Sequence, residues 1–136
     1  MIENPSREEI SKILKKAKRI AVVGLSDNPT RTSYGVSKAM QDAGYEIIPV
    51  NPTISEALGK KAVASLQDVE GPIDIVNVFR RSEFLPELAA EYLQTDIPIF
   101  WTQLGVVDEK VFSALKDQGR TVIMDRCIKV EHAITK

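Results

Sequence analysis

The sequence holds one cysteine, Cys127, and one histidine, His132. An internal disulfide, a multi-thiolate metal site and a paired-histidine centre are therefore excluded. Lysine and arginine number 18 against 19 aspartates and glutamates, a formal net charge of −1. That balance lacks the basic excess of a nucleic-acid-binding face, though it leaves room for a local basic pocket. Long apolar runs are missing too: the longest, Ile20–Leu25, falls far short of the roughly 20 residues of a membrane-spanning helix. The first residues, Met1 to Glu9, are polar and acidic with no apolar signal region, so a cytoplasmic protein is expected. There is no low-complexity run, repeat or flexible linker. One domain over residues 1–136, with a single core, is the expectation.

What is present is a regular alternation. Ser6 with Glu9 forms a capping box, and Ile10, Ile13, Leu14 and Ala17 then recur at helical spacing, so a helix over 6–17 is expected to pack on the domain. Arg19–Leu25 is a short, β-branched apolar run suited to a strand buried on both faces. After the polar loop Ser26–Arg31, Thr32 or Ser33 is placed to cap a helix with the stripe Val36, Ala39, Met40 and Ala43, ended by Gly44. Tyr45–Val50 reads as a second strand stopped by Asn51-Pro52. Ala57–Gly59 and Val63–Val69 read as short helical turns, and Ile73–Phe79 as a third strand. Ser82 is expected to cap a helix with Leu85, Leu88, Ala89 and Tyr92 inward, Pro86 being tolerated in its first turn. Ile97–Thr102 is the fourth strand, Asp108 to Gly119 a helix, and Thr121–Met124 the fifth strand; Ile128–Val130 adds a further extended piece.

Strands alternating with helices predict an α/β domain: a doubly wound, three-layer parallel sheet of Rossmann-like type. The expected strand order is 3-2-1-4-5, with the flavodoxin-like 2-1-3-4-5 as the other candidate. In such a sheet ligands sit beyond the carboxyl ends of the strands. Those ends carry Gly24-Leu25-Ser26, Asn51-Pro52, Phe79-Arg80-Arg81, Thr102-Gln103-Leu104-Gly105 and Asp125-Arg126-Cys127, a mildly basic rim. The loop after Gly24 feeds a helix whose free N–H groups and dipole favour an anion, usually a pyrophosphate. Arg31, Thr32 and Ser33 either add donors there or simply cap and solvate the helix start.

The dinucleotide fingerprint G-x-G-x-x-G is absent, because Leu-Ser-Asp-Asn-Pro follows Gly24. No carboxylate follows the second strand to hold a ribose hydroxyl; Asn51 and Pro52 stand there. The phosphate-binding pattern of ATP- and GTP-hydrolysing enzymes is absent as well. Asp27 is a lone carboxylate in a turn, better suited to an Asx turn than to a metal.

The stretch V-V-G-L-S-D-N-P-T-R-T-S-Y-G-V-S-K-A-M-Q-D-A-G-Y-E-I-I-P-V-N-P, with the later V-F-R, W-T-Q-L-G and D-R-C-I-K-V-E-H, resembles the small stand-alone CoA-binding proteins. These resemble the CoA-binding domain of the succinyl-CoA synthetase alpha subunit. The likeness runs from about residue 18 to 132. It implies a domain that holds coenzyme A, or an acyl-CoA, over the strand ends. Carried over by position, it places Gly24, Ser26 and the loop Pro29, Thr30, Arg31, Thr32, Ser33 at the pyrophosphate. Asn51 and Pro52 would lie against the adenosine part, and Phe79 with Arg80 would border the same groove. Thr102, Gln103 and Gly105 would line the path of the pantetheine arm, with Asp125, Arg126 and Cys127 at its thiol end. Arg31, Arg80 and Arg126 are placed to meet phosphates; Leu25, Pro52, Phe79 and Leu104 offer apolar walls. No histidine in the body of the fold is available to carry a phosphoryl group, so ligase chemistry is not implied and no catalytic residue is assigned.

Several residues have two readings. Cys127 is either a buried small apolar residue or, beside Arg126, a thiol able to form a reversible mixed disulfide with CoA. Trp101 is core or a ligand platform; Tyr34 packs on the sheet or shields the ligand. Glu131-His132 reads as a solvated hydrogen bond on a tail. A CoA-binding protein without built-in catalysis is the function expected, its ligand a small molecule and not a nucleic acid or membrane. An NAD(P)-linked oxidoreductase with a diverged fingerprint, and an interaction module with a decayed pocket, are the alternatives.

Overall fold

Two apolar clusters lie on opposite faces of one sheet, and each is sealed by helices. A computed structural model describes residues 2–135; Met1 and Lys136, the ends of the expected domain span, lie outside the described residues. The elements in chain order are α1 (Arg7–Lys16), β1 (Arg19–Val23), α2 (Thr32–Asp42), β2 (Glu46–Val50), β3 (Glu56–Ala57), β4 (Lys60–Lys61), β5 (Ile75–Val78), α3 (Leu85–Tyr92), β6 (Ile99–Thr102), α4 (Glu109–Asp117), β7 (Thr121–Ile123) and α5 (Ile128–Thr135). Single 3-10 turns at Leu66–Asp68 and Ser82–Phe84 complete them. The three-layer, doubly wound α/β architecture is as the alternation predicts. Among the described residues no helix is long and apolar enough to cross a membrane.

The five long strands are all parallel, in the order β2-β1-β5-β6-β7. Counting only these five, the order is 2-1-3-4-5; with the parallel bridge of Val63 to Val50 counted as a short strand outside β2, the sheet is consistent with the expected Rossmann-like 3-2-1-4-5 arrangement, and in either count β5 lies beside β1. Hydrogen bonds at the foot of β1 hold β5 in this place. The Asp74 carboxylate accepts from the backbone N–H groups of Lys18 and Arg19, at 2.8 and 3.0 Å. The Arg19 guanidinium donates to the carbonyls of Glu70 and Pro72, at 3.0 and 2.6 Å. These bonds fasten the start of β5 to the free edge of β1. The outer edge of β2 is taken instead by Val63, through Asn51 N–H to Val63 O and Val63 N–H to Pro49 O.

Side chains alternate across this sheet. Ala21, Val23, Val76, Val78 and Phe100 pack under α3 and α4. Ile20, Val22, Ile75, Trp101 and Ile123 pack under α1, α2 and α5. Ser6 caps α1 by accepting from Glu9 N–H, as its capping-box sequence predicts. Asn4 lies at the far edge, its amide exchanging two 2.8 Å bonds with the main chain of Met124. Trp101 is wholly buried, which settles its core reading.

Four local expectations are corrected. Ala57–Gly59 is not helical: Ala57 ends β3, and Leu58-Gly59 is the turn of the β3–β4 hairpin, both with positive φ, 55° and 74°. Ser82 does not cap a helix by its side chain; its hydroxyl accepts from Val107 N–H at 2.9 Å and so ties two loops. The tail Ile128–Val130 is the start of helix α5, not a strand. Glu131, on that helix, is buried and faces the Arg7 guanidinium at 3.7 Å, so it is not a solvated residue.

Burial pushes the phenols of Tyr45 and Tyr92 above their usual value, the latter despite the nearby Arg120 guanidinium. The folded state thus favours the neutral phenol. Its contribution is complete below the ordinary tyrosine value of about 10 and fades as pH rises past it. Denaturant unfolding between neutral and strongly alkaline pH should show stability falling above about pH 10, with a shallower fall in Tyr92→Phe. Asp74→Ala, which frees two backbone donors at the β1–β5 junction, should lower stability by about 1–2 kcal/mol in urea.

Candidate functional site

The reversal of strand order falls between β1 and β5, so the crevice of this sheet opens where these two strands end. Gly24 follows β1 with φ +86°, and Phe79 follows β5. A Cβ on Gly24 would lie 2.3 Å from the Phe79 carbonyl oxygen. Only glycine lets the chain turn here while touching its neighbour strand. The turn sends the chain outward and back down through α2.

The start of α2 is open. Arg31 occupies the N-cap position and offers no side-chain cap, and no acidic residue lies in the first turn. The expected capping by Thr32 or Ser33 is not made. Ser33 instead turns its hydroxyl toward the loop, accepting from Ser26 N–H at 3.0 Å. The loop stiffens itself by two further turns: Ser26 Oγ accepts from Asn28 N–H, and Asn28 Oδ1 accepts from Thr30 N–H, each at 3.0 Å. Ser26 and Asn28, not Asp27, make these turns; Asp27 is exposed on the cleft wall. An uncapped helix start carries partial positive charge and unspent N–H donors.

A cleft of about 700 Å³ lies in front of this helix start, walled by Gly24, Ser26, Arg31, Ser33, Asn51 and Phe79 among others. A second lobe of about 530 Å³ continues past Thr32 and Phe79, which line both, to Arg80, Gln103, Leu104, Gly105 and Cys127. The first lobe is mainly polar, the second mainly apolar. Together they run across the carboxyl ends of the strands from β2 to β7.

Most of the residues expected from the sequence meet here: Gly24, Ser26, Thr30, Arg31, Thr32, Ser33, Asn51, Phe79, Arg80, Gln103, Gly105 and Cys127. The others do not reach the walls. Pro29 and Pro52 are exposed beside the first lobe and do not line it. Leu25 is wholly buried in the core, so it provides no wall. Thr102 is buried too, and its hydroxyl donates to Val106 O at 2.6 Å, holding the loop after β6. Arg126 turns back to the Asp125 carbonyl at 3.0 Å and lines neither lobe. Asn51 spends its carboxamide on the frame: Nδ2 donates to Leu25 O at 3.0 Å, and Oδ1 accepts from Thr53 N–H at 2.9 Å.

Thr53, Ile54 and Val106 are wall residues that the strand-end rule passed over. The first two had a legible signal, since Asn-Pro-Thr invites the Asx turn that folds them back. Asp125 takes φ +60° and accepts from Gly105 N–H at 2.7 Å, joining the loops after β6 and β7. Arg80 and Arg81 both stand over the Phe84 ring, at 5.0 and 5.5 Å. The cleft thus gathers three arginines, Arg31, Arg80 and Arg81, in a chain with almost no net charge.

A family profile described as the CoA binding domain matches residues 18–133. The chain belongs to the CoA binding domain family. It is 69% identical over 135 residues to the uncharacterized protein YneT of Bacillus subtilis, a match covering 99% of this chain and 100% of YneT. An ADP-forming acetate–CoA ligase of Methanocaldococcus jannaschii is 29% identical over 80 residues, 59% of this chain but 11% of the ligase. Among solved structures, cell-free ID.343 from Thermus thermophilus has a TM-score of 0.93 at 36% identity, covering 97% of this chain and 100% of that one. A hypothetical protein from Pyrococcus horikoshii has a TM-score of 0.91 at 28% identity, with 99% of each chain covered. Membership supports CoA binding by this domain.

Gly24→Ala tests the junction on which the cleft is built. The positive φ costs about 1–2 kcal/mol and the clash with Phe79 O about 1–3 more. Urea unfolding should show a loss of about 2–5 kcal/mol.

Proposed function

We propose that this protein binds coenzyme A, free or acylated, in the cytoplasm, and has no ligase chemistry of its own. The diphosphate rests on the open start of α2, with Gly24 letting the backbone approach and Arg31 adding charge. The observation that carries this reading is that uncapped helix start facing a cleft, in a chain of the CoA binding domain family. Ser26, Thr30, Thr32 and Ser33 complete the phosphate end. Asn51, itself tied into the frame, presents an uncharged surface to the adenosine part where a carboxylate would repel a 3′-phosphate. Arg80 supplies a cation at the border of the two lobes.

The pantetheine arm follows the second lobe past Phe79, Gln103 and Gly105, with Leu104 as an apolar lip. Its sulfur then comes to Cys127, which gives the protein a part in the chemistry of that thiol. Pro29, Pro52, Thr102 and Arg126 hold the surrounding loops and take no direct part.

Thermal shift separates this reading from nicotinamide dinucleotide binding. CoA should raise the melting temperature more than dephospho-CoA, and both more than NAD or NADP. A preference for NAD or NADP would overturn the reading, and so would no shift with any of the four. Arg31→Ala should weaken CoA binding by about 1–3 kcal/mol in titration calorimetry, as the loss of a charge-assisted contact to phosphate does.

A further inference from the structure

Cys127 is half-buried and lines the second lobe together with Phe79, Arg80, Gln103 and Leu104. Its main chain is held from both sides. Trp101 Nε1 donates to the Arg126 carbonyl at 2.9 Å, and Ile128 N–H donates to Gln103 Oε1 at 3.0 Å. The thiol therefore stands on a fixed frame, one residue ahead of α5.

Gln103 supplies an independent sign of a ligand. It is only 5% exposed, yet it lines the lobe. Its carboxamide oxygen is committed to Ile128, which also fixes which end of the amide is nitrogen. The NH2 group has no acceptor among the described residues. That NH2 group opens on the lobe, where only solvent or a ligand can accept its protons. A ligand carbonyl in the lobe would accept from it, and a pantetheine arm carries amide carbonyls on its way to the thiol.

We propose that Cys127 exchanges with the disulfide form of CoA and retains one CoA as a mixed disulfide, while Gln103 NH2 holds an amide carbonyl of the arm. This rests on the coenzyme A reading above. The Cys127 thiol gives its proton to water, and the thiolate attacks one sulfur of the CoA disulfide. The S–S bond of that disulfide breaks as the Cys127–CoA bond forms. The second CoA leaves as a thiolate and takes up a proton. Cys127 is oxidised and the departing sulfur is reduced, so CoA disulfide is the only oxidant required. Negative charge on sulfur during the exchange is met by the start of α5 and by Arg80 on the same lobe.

The test is intact mass of the full chain, without reductant, after exposure to CoA disulfide and, separately, to glutathione disulfide. The expected product is a single adduct of one CoA less one hydrogen, removed by dithiothreitol and absent in Cys127→Ser. It should form roughly tenfold faster than the glutathione adduct, the factor that modest binding at the cleft provides. Gln103→Glu keeps an acceptor for Ile128 N–H but removes the free donor. It should lower the ratio of the CoA to the glutathione rate several-fold, a ratio that a general loss of stability does not change. No CoA adduct, or equal rates with the two disulfides, overturns the proposal. If reduced CoA still raises the melting temperature in that case, the binding reading stands and only the exchange fails. If reduced CoA gives no shift, the binding reading falls and the exchange falls with it.

Discussion

The contact between the turn at Gly24 and the end of β5 governs the geometry above the sheet. Where any other residue would place a methyl group into the Phe79 carbonyl, the absence of a side chain lets two strand ends close on each other. Two consequences follow from that closeness. The start of α2 is brought over the crevice, and Phe79 becomes the shared wall of both lobes. The bonds from Asp74 and Arg19 at the opposite end of the same strand pair complete the arrangement, since without β5 beside β1 the crevice would open elsewhere.

Positive character in this cleft comes mainly from placement. The chain is balanced in charge, yet the uncapped helix start and three arginines converge on one side of the sheet. Backbone dipoles contribute what composition cannot reveal. The polar lobe and the apolar lobe lie in the order that the proposed binding of coenzyme A, charged head first and uncharged arm second, would use.

Much of this was legible in the sequence because burial leaves a period. The β-branched runs of β1 and β5 and the helical stripes of α2 and α4 each announced their element; the strand-end rule found Gly24, Phe79, Gln103 and Cys127, and the helix start found Arg31. What escaped was long-range. The bonds from Asp74 to the backbone of Lys18 and Arg19 hold β5 beside β1, and no local pattern records a partner more than fifty residues away. Thr102 and Arg126 stand at the right strand ends, but their side chains turn to the main chain of nearby loops. The tail at Ile128–Val130 looked extended because its first residues are apolar; packing against α1 and α2 makes it a helix.

Asn4 closes the far side of the molecule. By giving and receiving one bond with Met124, a single amide side chain imitates the main chain of a sixth strand without being one. The row of unpaired groups that would invite a foreign polypeptide to extend the ladder is interrupted at its carboxyl end. A plug of one residue therefore helps keep this sheet finite.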